Sequence, residues 1–453
     1  MSTTDPDIAI IETSSLGDRS YLISLDGIAV VIDPQRDIDR VLALAAEKNA
    51  AITHVLETHI HNDYVTGGLE LARATGAEYV VPEGDPVEYE RRAVGDGDVV
   101  EAGSATFQVM HTPGHTHHHV SYVLRLGDEP IAIFTGGSML YGSTGRTDLL
   151  GSEHTDELTH AQFHSVRRIA AELPADVEVY PTHGFGSFCS ATPTSGDSST
   201  IGEQQQSNPA LTQDEQTYVD ELIAGLSAYP AYYAHMGVIN TEGPAPIDLS
   251  TPEPVDPDEL RRRIDDGQWV VDLRARTAFA AGHLDGSLGF ELSTTFVTYL
   301  GWLYQWGAPL TLIGDTSDQI DEATRELARI GVDRPSGSAV GEIHSLASDG
   351  RVRSYEVSDF AGLAATDSDI TVLDTRQQSE YADGHIPGAV NIPLHELPHR
   401  LAEVPDGDVW VHCASGYRAS IAASLLDREH RTVTLIDDDY DHAVQLKLHT
   451  ART

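Results

Sequence analysis

The sequence predicts an α/β protein of three domains, in which a sandwich of two sheets between helices precedes two smaller α/β domains. With 453 residues the chain exceeds the usual size of one domain, and its hydrophobic content of 40% is enough to build real cores. Short apolar strands alternate with turns and a few helices over residues 1–245, which favours stacked sheets covered by helices. Beyond residue 257 one strand and turn pattern occurs twice, which predicts a pair of related domains.

The elements of the first domain follow from apolar residues that alternate or run between turn signals. Strands are predicted at IAII, SYLISLDGIAVVID, AITHVLET, AEYVVPE, ATFQVMHT, HVSYVLRLG, PIAIFTGG and VEVYPTH. Apolar residues at helical spacing predict helices over 36–50, over 156–172 and from 211 towards 240. The Ser-, Gly- and Gln-rich stretch 190–207 is expected to be a loop, and the Pro- and acid-rich stretch 242–257 is expected to be a linker.

The second and third domains are predicted from an internal repeat. The segment WVVDLRARTAFAAGHLDGSLGF, which starts at Trp269, matches ITVLDTRQQSEYADGHIPGAVNI, which starts at Ile370. Both segments are typical of a strand, an Asp and an Arg, a helical turn, a Gly-His pair and a second strand. The offset of about a hundred residues is that of a domain, since solenoid repeats are about 20–50 residues long. Domain limits of 255–345 and 354–453 follow.

The charge of the chain excludes two classes of partner. Asp and Glu total 71 against 28 Lys and Arg, which gives a formal net charge of −43 at pH 7. A polyanion of this size repels nucleic acids and anionic membranes, so neither is an expected partner. Lys48 and Lys447 are the two lysines, and an acid-rich surface suits very high salt, where screening shortens charge repulsion to about 3 Å. This favours the cytoplasm of a halophile, with an ordinary acidic protein as the alternative.

The cysteine content indicates a reducing compartment. The chain contains two cysteines, Cys189 and Cys413, which are too few for a disulfide framework. The N-terminal segment MSTTDPDIAI lacks the basic and apolar regions of a signal peptide, and no run approaches the ~20 apolar residues of a membrane-spanning helix. A cytoplasmic protein is expected, and the sequence leaves open whether it forms a homo-oligomer.

Histidines follow three of the predicted strands. His59 and His61 stand two residues apart after the strand HVLE, with Asp63 two residues further on. His115 lies in the segment HTPGHTHHH, and His183 ends the segment VEVYPTH. Imidazoles from three strand ends can converge on one metal at the edge of a sheet. The alternative is that histidines replace lysine on an acidic surface, which best fits the run of three that ends HTPGHTHHH.

In these motifs the chain resembles the metallo-β-lactamase fold family, and more narrowly its persulfide dioxygenase and glyoxalase II branch. The matching segments are THIHNDY, HTPGHT, FTGGSMLYGSTGRTDLLG and YPTH, in the family's order. The resemblance implies an αββα sandwich with a metal site made of the residues just named. Two positions depart from the family's pattern: Tyr64 stands where the family has a histidine, and Gly137 falls on the family's aspartate.

These departures leave one complete metal site. Without the two missing ligands a second metal would keep Asp63 and His183, which is too few for a firm site. The first metal would hold His59, His61 and His115 and keep open positions for water, thiol or dioxygen. Imidazole suits iron and zinc equally, so the ligand type leaves the metal open. One Fe(II) is expected, because with three neutral ligands and open positions it can bind a persulfide and dioxygen together; Zn²⁺ is the alternative and a metal-free scaffold a third outcome.

Cys189 is a candidate for sulfur chemistry in the same domain. It lies in the segment HGFGSFCSA, six residues after His183, and the family fold would place both at one mouth. A thiol there could take or pass on a sulfane sulfur. The alternative interpretation is a small buried apolar residue, which cysteine often is.

The third domain contains a loop that is typical of a reactive cysteine. The strand DVWVH runs directly into CASGYR, from Cys413 to Arg418, and the helical segment ASIAASLLDRE follows. A cysteine in this position lies at a helix N-terminus among inward-pointing amides, which lowers a thiol pKa and stabilises a persulfide. Arg418 adds a permanent positive charge and closes the loop. Phosphatase loops have five residues between Cys and Arg, whereas this loop has four and fits a sulfur atom better than a phosphate.

The third domain resembles a rhodanese domain through LDTR, GHIPGAVNIP and CASGYR. The resemblance implies that Cys413 carries the sulfur, with Arg418 and the loop amides as its support. It implies a structural role for three further residues, Asp374, Arg376 and His385. The family's Gly-Gly turn near the end is replaced here by DDDY at 437–440, which is expected to change the substrate mouth.

The middle domain resembles the same fold as far as the segment GHLDG. At the position of the active-site loop it has Gly314-Asp315-Thr316 and no cysteine, so it cannot carry a persulfide. Its expected task is to pack between the two active domains.

The combination predicts an enzyme of sulfur metabolism. In this interpretation the first domain oxidises a low-molecular-weight persulfide to sulfite and a thiol. Cys413 moves sulfane sulfur to or from sulfite, with thiosulfate as product or donor. Two alternatives remain open: a glyoxalase II-like thioester hydrolase with zinc and an activated water, and a metal-free lactamase scaffold attached to a thiosulfate sulfurtransferase.

Overall fold

The computed structural model describes residues 5–192, 194, 196–366 and 369–451, and the chain forms two compact units. The first unit comprises Met1–Ile247 with Ala328–Gly331, and the second comprises Asp248–Leu327 with Val332–Thr453. The boundary after Ile247 falls within the predicted linker. The outermost residues of the predicted first and third domains, and positions 193 and 195 of the predicted loop, lie outside the described residues.

Two sheets form the first unit. The first sheet has six strands in chain order: Asp7–Thr13, Asp18–Leu25, Ile28–Ile32, Ala51–Leu56, Glu78–Pro82 and Arg92–Val94. The second has five strands in the spatial order Glu178–Pro181, Glu129–Gly136, Val120–Leu126, Ala105–His111 and Val99–Ala102. A small hairpin pairs Met139–Leu140 with Ser143–Thr144. Asp26 and Gly27, with φ of 54° and 79°, make the tight turn between the second and third strands, because such two-residue hairpins need positive φ at both positions.

The two sheets pack face to face, and helices cover their outer faces. Side chains from both sheets fill the space between them, among them Ile32, Leu56, Phe107, Leu124 and Phe134. Each such buried side chain contributes about 1.5–3 kcal/mol to folding. The helices of this unit are Asp39–Glu47, Gly68–Thr75, Thr155–Glu172, Ile201–Ser207, Pro209–Thr212, Glu215–Gly225 and Tyr233–Glu242. The first two cover the first sheet and the next four cover the second, so the predicted αββα sandwich is confirmed.

One local prediction is wrong. Part of the stretch 190–207, expected to be a loop, forms the helix Ile201–Ser207. This helix begins with a capping box, in which the Glu203 N–H donates to Thr200 Oγ1 at 3.3 Å and the Thr200 N–H donates to the Glu203 carboxylate at 2.9 Å. The Thr-x-x-Glu spacing is the signal that would have predicted it.

Two parallel sheets form the second unit, and the four strands of the first follow the same order as four of the five strands of the second. The sheet of the middle domain has the order Leu288–Gly289, Trp269–Asp272, Leu310–Gly314, Gly337–Val340. The C-terminal sheet has the order Val390–Asn391, Thr371–Asp374, Val409–His412, Val433–Ile436, Glu356–Ser358. Two short pairs, His283–Leu284 with Val352–Arg353 and Gly384–His385 with Thr450–Ala451, lie apart from these sheets. The helices are Pro257–Asp265, Arg276–Ala281, Phe296–Leu303, Ser317–Arg329, Ile343–Leu346, Phe360–Ala365, Gln378–Asp383, Leu397–Arg400, Tyr417–Arg428 and Tyr440–Gln445, with a 3₁₀ turn at Leu401–Glu403.

The repeat seen in the sequence extends to individual hydrogen bonds. Arg274 pairs with Asp272 at 2.7 Å and donates to the carbonyl of the glycine in the following Gly-His pair. Arg376 pairs with Asp374 at 2.6 Å and makes the same bond to the carbonyl of the glycine in its own Gly-His pair.

Among the described helices none combines the length and the apolar character that crossing a bilayer requires.

Candidate metal centre and cysteine loop

The predicted metal ligands lie in three loops at one edge of the sandwich. These loops follow the strands Ala51–Leu56, Ala105–His111 and Glu178–Pro181. The five side chains are at most 1% exposed: His59, His61, Asp63, His115 and His183. Buried polar groups in this number need partners, either hydrogen bonds or a metal.

Three of the histidines each point one ring nitrogen at a common centre. The nitrogens offered by His59, His115 and His183 all lie within 4.8 Å of one another. Nε2 of His59 and Nε2 of His183 are 3.3 Å apart, and Nε2 of His115 is buried without a hydrogen-bond partner among the described residues. Two imidazole lone pairs at that distance repel unless a cation or a proton lies between them. The arrangement fits a metal ion held by three imidazoles.

In all three rings the other nitrogen, Nδ1, is held by an oxygen of the protein. These contacts are His59 to Thr58 Oγ1 at 2.8 Å, His115 to the Arg146 carbonyl at 2.7 Å and His183 to Asp18 Oδ1 at 2.9 Å. An Nδ1–H that donates leaves the lone pair on Nε2, which faces the centre. Outer partners of this kind orient metal-bound histidines and make them better ligands.

The electrostatics of the site favour neutral imidazole at two of the three ligands. Burial and the neighbouring imidazoles lower the pKa of His59 well below its usual range, and burial with the charge of His183 lowers the pKa of His115 to about 3. Burial alone would lower the pKa of His183 too, but the negative charges of Asp63 and Asp18 raise it to about 10. A metal at the centre therefore displaces a proton from His183.

The structure groups the histidines differently from the sequence expectation, which placed His61 with His59 and His115. His61 Nε2 lies 3.0 Å from the Tyr64 hydroxyl and 3.3 Å from Asp33 Oδ1. The charges of Asp33 and Glu57 raise the pKa of His61 to about 9 against the effect of burial.

The remaining nitrogen of His61, Nδ1, has no hydrogen-bond partner among the described residues. With Asp63 and His183, His61 forms a second group of donors within 4.8 Å, and with Asp33 and Glu57 it forms a third. His183 therefore stands in the three-imidazole group where the sequence placed His61, because sequence spacing does not determine which way a ring turns.

Gly137, which falls on the family's aspartate, lies against the ring of His115. A Cβ atom at position 137 would be 2.3 Å from His115 Cδ2. The Gly137 N–H donates to Nε2 of His119 at 3.0 Å, so that nitrogen is already engaged and His119 is not a metal ligand. A side chain at 137 and the ring of His115 compete for one space.

Replacing Gly137 with Asp is therefore expected to destabilise the first unit without completing a second metal site. The new Cβ pushes the His115 ring out of place, and overpacking of this kind costs about 1–3 kcal/mol. Thermal unfolding should show a lower melting temperature, and metal analysis should show less bound metal. The control is Gly225→Asp, an exposed helix end with no atom within 4 Å of its Cβ position. A G137D protein that is stable and binds an additional ion would contradict this reading.

The other histidines of HTPGHTHHH lie away from the centre. His111 and His118 are exposed, and the ring of His117 packs 4.9 Å from that of His154. These three fit the interpretation of surface histidines, whereas His119 is buried and structural.

Cys189 is buried beside the second donor group. Its N–H donates to Ser187 Oγ at 3.2 Å, and the Ser187 hydroxyl lies 3.4 Å from Asp63 Oδ2. The sulfur is 3.8 Å from the Tyr233 hydroxyl. Burial, together with the charges of Asp63 and Asp18, raises the pKa of the Cys189 thiol well above its usual range. As a protonated, buried thiol Cys189 is a weak nucleophile.

Cys413 lies between the strand Val409–His412 and the helix Tyr417–Arg428 and is 2% exposed. The turn into the helix occurs at Gly416, whose φ of 86° is in the left-handed region. A Cβ there would also lie 2.2 Å from the Asp437 carboxylate, so the position requires glycine. This turn places Cys413 at the N-terminal end of the helix, where amides favour an anionic sulfur.

Arg418 closes the loop through a partner that the sequence did not identify. Its two terminal nitrogens donate to the two carboxylate oxygens of Glu380 at 2.6 and 2.8 Å. Paired, planar contacts of this kind are strong and geometrically specific. The positive charge expected from Arg418 is therefore balanced by Glu380.

The acidic segment that replaces the Gly-Gly turn has structural contacts. Asp439 caps the helix Tyr440–Gln445 by accepting from the Asp441 N–H at 3.0 Å. Asp437 accepts from Arg276 of the middle domain at 2.7 Å. The segment thus joins the cysteine loop to the middle domain.

The sequence missed the residues that hold the candidate ligands in place. Asp33 has a detectable signal in the sequence, since it is a carboxylate directly after the apolar strand Ile28–Ile32. The others are visible only in three dimensions: Asp18, Glu57, Thr58, Arg146 and Glu380.

Two protein-family models match separate parts of this chain. Residues 18–183 match the model of the metallo-beta-lactamase superfamily, and residues 357–444 match that of the rhodanese-like domain. The first range contains all five predicted metal ligands, and the second contains Cys413 and Arg418.

Individual proteins are similar to parts of this chain as well. The hydroxyacylglutathione hydrolase of Aliivibrio fischeri is 37% identical over 161 residues, 35% of this chain and 58% of that protein. The human mitochondrial persulfide dioxygenase ETHE1 is 28% identical over 226 residues, 49% of this chain and 77% of that protein. A crystal structure of a metallo-beta-lactamase from Staphylococcus aureus superposes with a TM-score of 0.68 at 28% identity, covering 75% of this chain and 100% of that chain.

Proposed function

We propose that this chain, which carries a metallo-β-lactamase domain followed by a C-terminal rhodanese-like domain, oxidises a low-molecular-weight persulfide to sulfite and transfers sulfane sulfur through Cys413. The observation that carries the proposal is the buried convergence of His59, His115 and His183 in the same chain as a cysteine loop. The likeness to persulfide dioxygenase ETHE1 over 77% of that protein agrees with it.

One ion, Fe(II), is proposed at the three-imidazole centre. Iron bound there would supply open positions at which a persulfide sulfur and dioxygen can meet. His183 belongs to two of the donor groups and, with Nδ1 held by Asp18, has one nitrogen left to offer. The two groups therefore cannot both be filled, which favours one ion over two. Zn²⁺ is the alternative metal, because imidazole suits both.

The oxidation is balanced with dioxygen and water as the co-reactants: RSSH + O₂ + H₂O → RSH + SO₃²⁻ + 2 H⁺. In this scheme the residues of the chain hold and orient the metal ligands. Thr58, Arg146 and Asp18 hold the three rings, and burial excludes bulk water from the ligands.

Sulfur transfer at Cys413 needs no oxidant. The Cys413 thiolate attacks the outer sulfur of a persulfide, releases the carrier thiolate and becomes Cys413–S–S⁻. Sulfite then attacks the outer sulfur, so that thiosulfate leaves and the thiolate is restored: Cys–S–S⁻ + SO₃²⁻ → Cys–S⁻ + S₂O₃²⁻. The amides at the start of the helix Tyr417–Arg428 stabilise the anionic sulfur in both forms.

A thioester hydrolase is the second candidate. The A. fischeri hydrolase is 37% identical over its matched part, and the group of His61, Asp63 and His183 offers donors for another metal. The absence of a carboxylate at Gly137 weighs against it, because a second metal lacks a bridging ligand. The third candidate is a metal-free scaffold beside a plain sulfurtransferase. The convergence of three buried imidazoles, with Nε2 of His115 without a hydrogen-bond partner among the described residues, weighs against that.

Oxygen electrode recordings on the purified protein separate the three candidates. On addition of cysteine persulfide, we expect oxygen uptake by protein that contains iron, and no hydrolysis of a glutathione thioester. Iron-loaded protein without oxygen uptake would refute the dioxygenase. Thioester hydrolysis by zinc-loaded protein would support the hydrolase. A protein that binds neither iron nor zinc and still transfers sulfur would support the scaffold.

The setting proposed for this activity is the cytoplasm of a halophile. It rests on the formal net charge of −43 and on the presence of two lysines in 453 residues. The proposed partners are a small thiol or its persulfide, with sulfite or thiosulfate.

A further inference from the structure

Two histidines of the first unit, outside the donor groups described above, share one carboxylate. His160 and His164 lie on the helix Thr155–Glu172, and Glu215 is the first residue of the helix Glu215–Gly225. Nδ1 of His160 is 2.7 Å from Oε1 of Glu215, and Nε2 of His164 is 3.1 Å from the same oxygen. The proposed function uses none of these three residues.

The spacing of the two histidines places their rings on one face of the helix. Residues four positions apart are neighbours on a helix surface, with Cβ atoms about 5–6 Å from each other. Two histidines at this spacing can bind a single metal ion from one helix. Glu215 adds a carboxylate from a second helix, 55 positions after His160 along the chain.

The distances are close to those of a metal site. In a tetrahedral site with bonds of about 2.0–2.2 Å, the donor atoms lie about 3–3.5 Å from one another. The two contacts of Glu215 Oε1, at 2.7 and 3.1 Å, are near this spacing. The side chains of His160 and Glu215 are each 38% exposed and that of His164 is 65% exposed, so all three are free to adjust to an ion.

The two helices that carry the donors are held together by buried packing. The rings of Phe163 and Tyr218 lie between the helices with centroids 5.5 Å apart, and both belong to the core that covers the second sheet. An ion would therefore meet donors on helices that are already in place. Binding to such a prearranged site has a small ordering cost.

The charges around Glu215 favour a cation. Among the described residues no lysine or arginine forms an ion pair with this carboxylate, whose ion-pair contacts are the two imidazoles. The hydrogen bond from His160 lowers the pKa of the Glu215 carboxyl, so the group is ionised at neutral pH. Arg167 on the same helix is held elsewhere, since it donates to the Gln213 carbonyl at 2.7 Å and lies 4.3 Å from the centre of the Phe163 ring.

The helix that carries both histidines also contacts the loop of His115. The Ser165 hydroxyl donates to the Pro113 carbonyl at 2.7 Å. Gln162 packs so closely on Gly114 that a Cβ there would be 2.1 Å from Gln162 Oε1. An ion that steadies this helix would therefore also steady the loop beside the buried centre.

We propose that His160, His164 and Glu215 form a second metal site, which binds a divalent transition metal such as Zn²⁺ and clamps the two helices together. Imidazole with carboxylate suits Zn²⁺, whereas Mg²⁺ and Ca²⁺ take oxygen ligands. Because the site is exposed, its ion exchanges with solution and is lost on gel filtration. The site stabilises the first unit and takes no part in the sulfur chemistry, so it does not depend on the proposed function.

Isothermal titration of the full-length protein with Zn²⁺ tests the site. At pH 8, where imidazole is ordinarily neutral, we expect one exchangeable Zn²⁺ per chain at this site and no comparable binding of Mg²⁺. His164→Ala should weaken this binding at least about tenfold, and Glu215→Gln should weaken it in the same direction by removing the charge. Because the buried centre also accepts zinc, the binding event is assigned by difference: it should persist in H115A and be absent from H164A.

Thermal unfolding gives a second readout and a matched control. Zn²⁺ that binds the folded chain should raise the melting temperature with increasing concentration, in the unmodified protein and in H118A, whose exposed histidine lies on a loop of the same unit. In H164A that part of the rise should be lost. Equal zinc affinity in the unmodified protein and H164A would overturn the site. Unchanged affinity in E215Q would overturn the clamp, since the ion would then be held by one helix.

Discussion

Replacing Cys413 with serine is expected to abolish transfer of sulfur from thiosulfate to an acceptor. The loop keeps its shape, because Gly416 and the Arg418–Glu380 pair are untouched, but a hydroxyl cannot carry a persulfide. The rate should fall about a thousandfold or more, as it does when a covalent nucleophile is removed. The rate of sulfur transfer is measured as thiocyanate formation from thiosulfate and cyanide. Oxygen uptake that depends on a persulfide should persist in the same variant.

Cys189→Ser is the matched control for sulfur transfer, since Cys189 is the other cysteine of the sequence and lies in the first unit. It should leave thiocyanate formation unchanged. If Cys189 relays sulfur to the metal centre, turnover that couples oxidation to transfer will fall while the two separate activities survive. Sulfur transfer that survives in C413S would show that the loop is not the sulfur carrier.

Replacing His115 with alanine is expected to remove the metal and the oxygen-consuming activity together. Its Nε2 is buried and faces the centre, while its Nδ1 is fixed on the Arg146 carbonyl. Loss of an outer partner typically costs 10–100-fold in metal affinity, so loss of the ligand itself should cost at least about 100-fold. Metal analysis after gel filtration and oxygen uptake with a persulfide are the measurements.

The matched control is His118→Ala, an exposed histidine of the same segment, which should keep both metal and activity. Thiocyanate formation at Cys413 should be unaffected in either variant, which shows that the second unit is folded. Full metal content in H115A would mean that the three-imidazole group is not the metal site.

Much of the fold follows from local pattern. Alternating apolar residues predicted the strands, and the repeat at Trp269 and Ile370 predicted two related domains, whose sheets share the order of four strands. The helix Ile201–Ser207 was missed because the polar composition of the stretch outweighed its capping signal at Thr200 and Glu203. Composition describes a whole stretch, whereas a cap is set by two residues.

The sequence predicted which residues form the candidate site, but not which of them point at a common centre. Spacing after a strand places His59 and His61 at one edge, yet the direction of each ring depends on distant partners. His61 is turned by Asp33 and Tyr64, and His183 is held by Asp18, 165 positions away along the chain. Such contacts arise from tertiary packing and leave no local trace in the sequence.

The contacts between the two repeats were beyond sequence reasoning for the same reason. The loss of the middle domain's cysteine predicted a packing task, while the contact of Trp302 with His395 depends on how two repeats of one unit meet.

The central claim is that iron at the three-imidazole centre supports oxidation of a persulfide by dioxygen. It is tested most directly by measuring oxygen consumed and sulfite formed in one reaction, with C413S protein of known iron content so that sulfite is not converted to thiosulfate. The account predicts equal amounts of oxygen, persulfide and sulfite, at a rate proportional to bound iron. Persulfide loss without oxygen uptake, or iron-loaded protein that forms no sulfite, would contradict it.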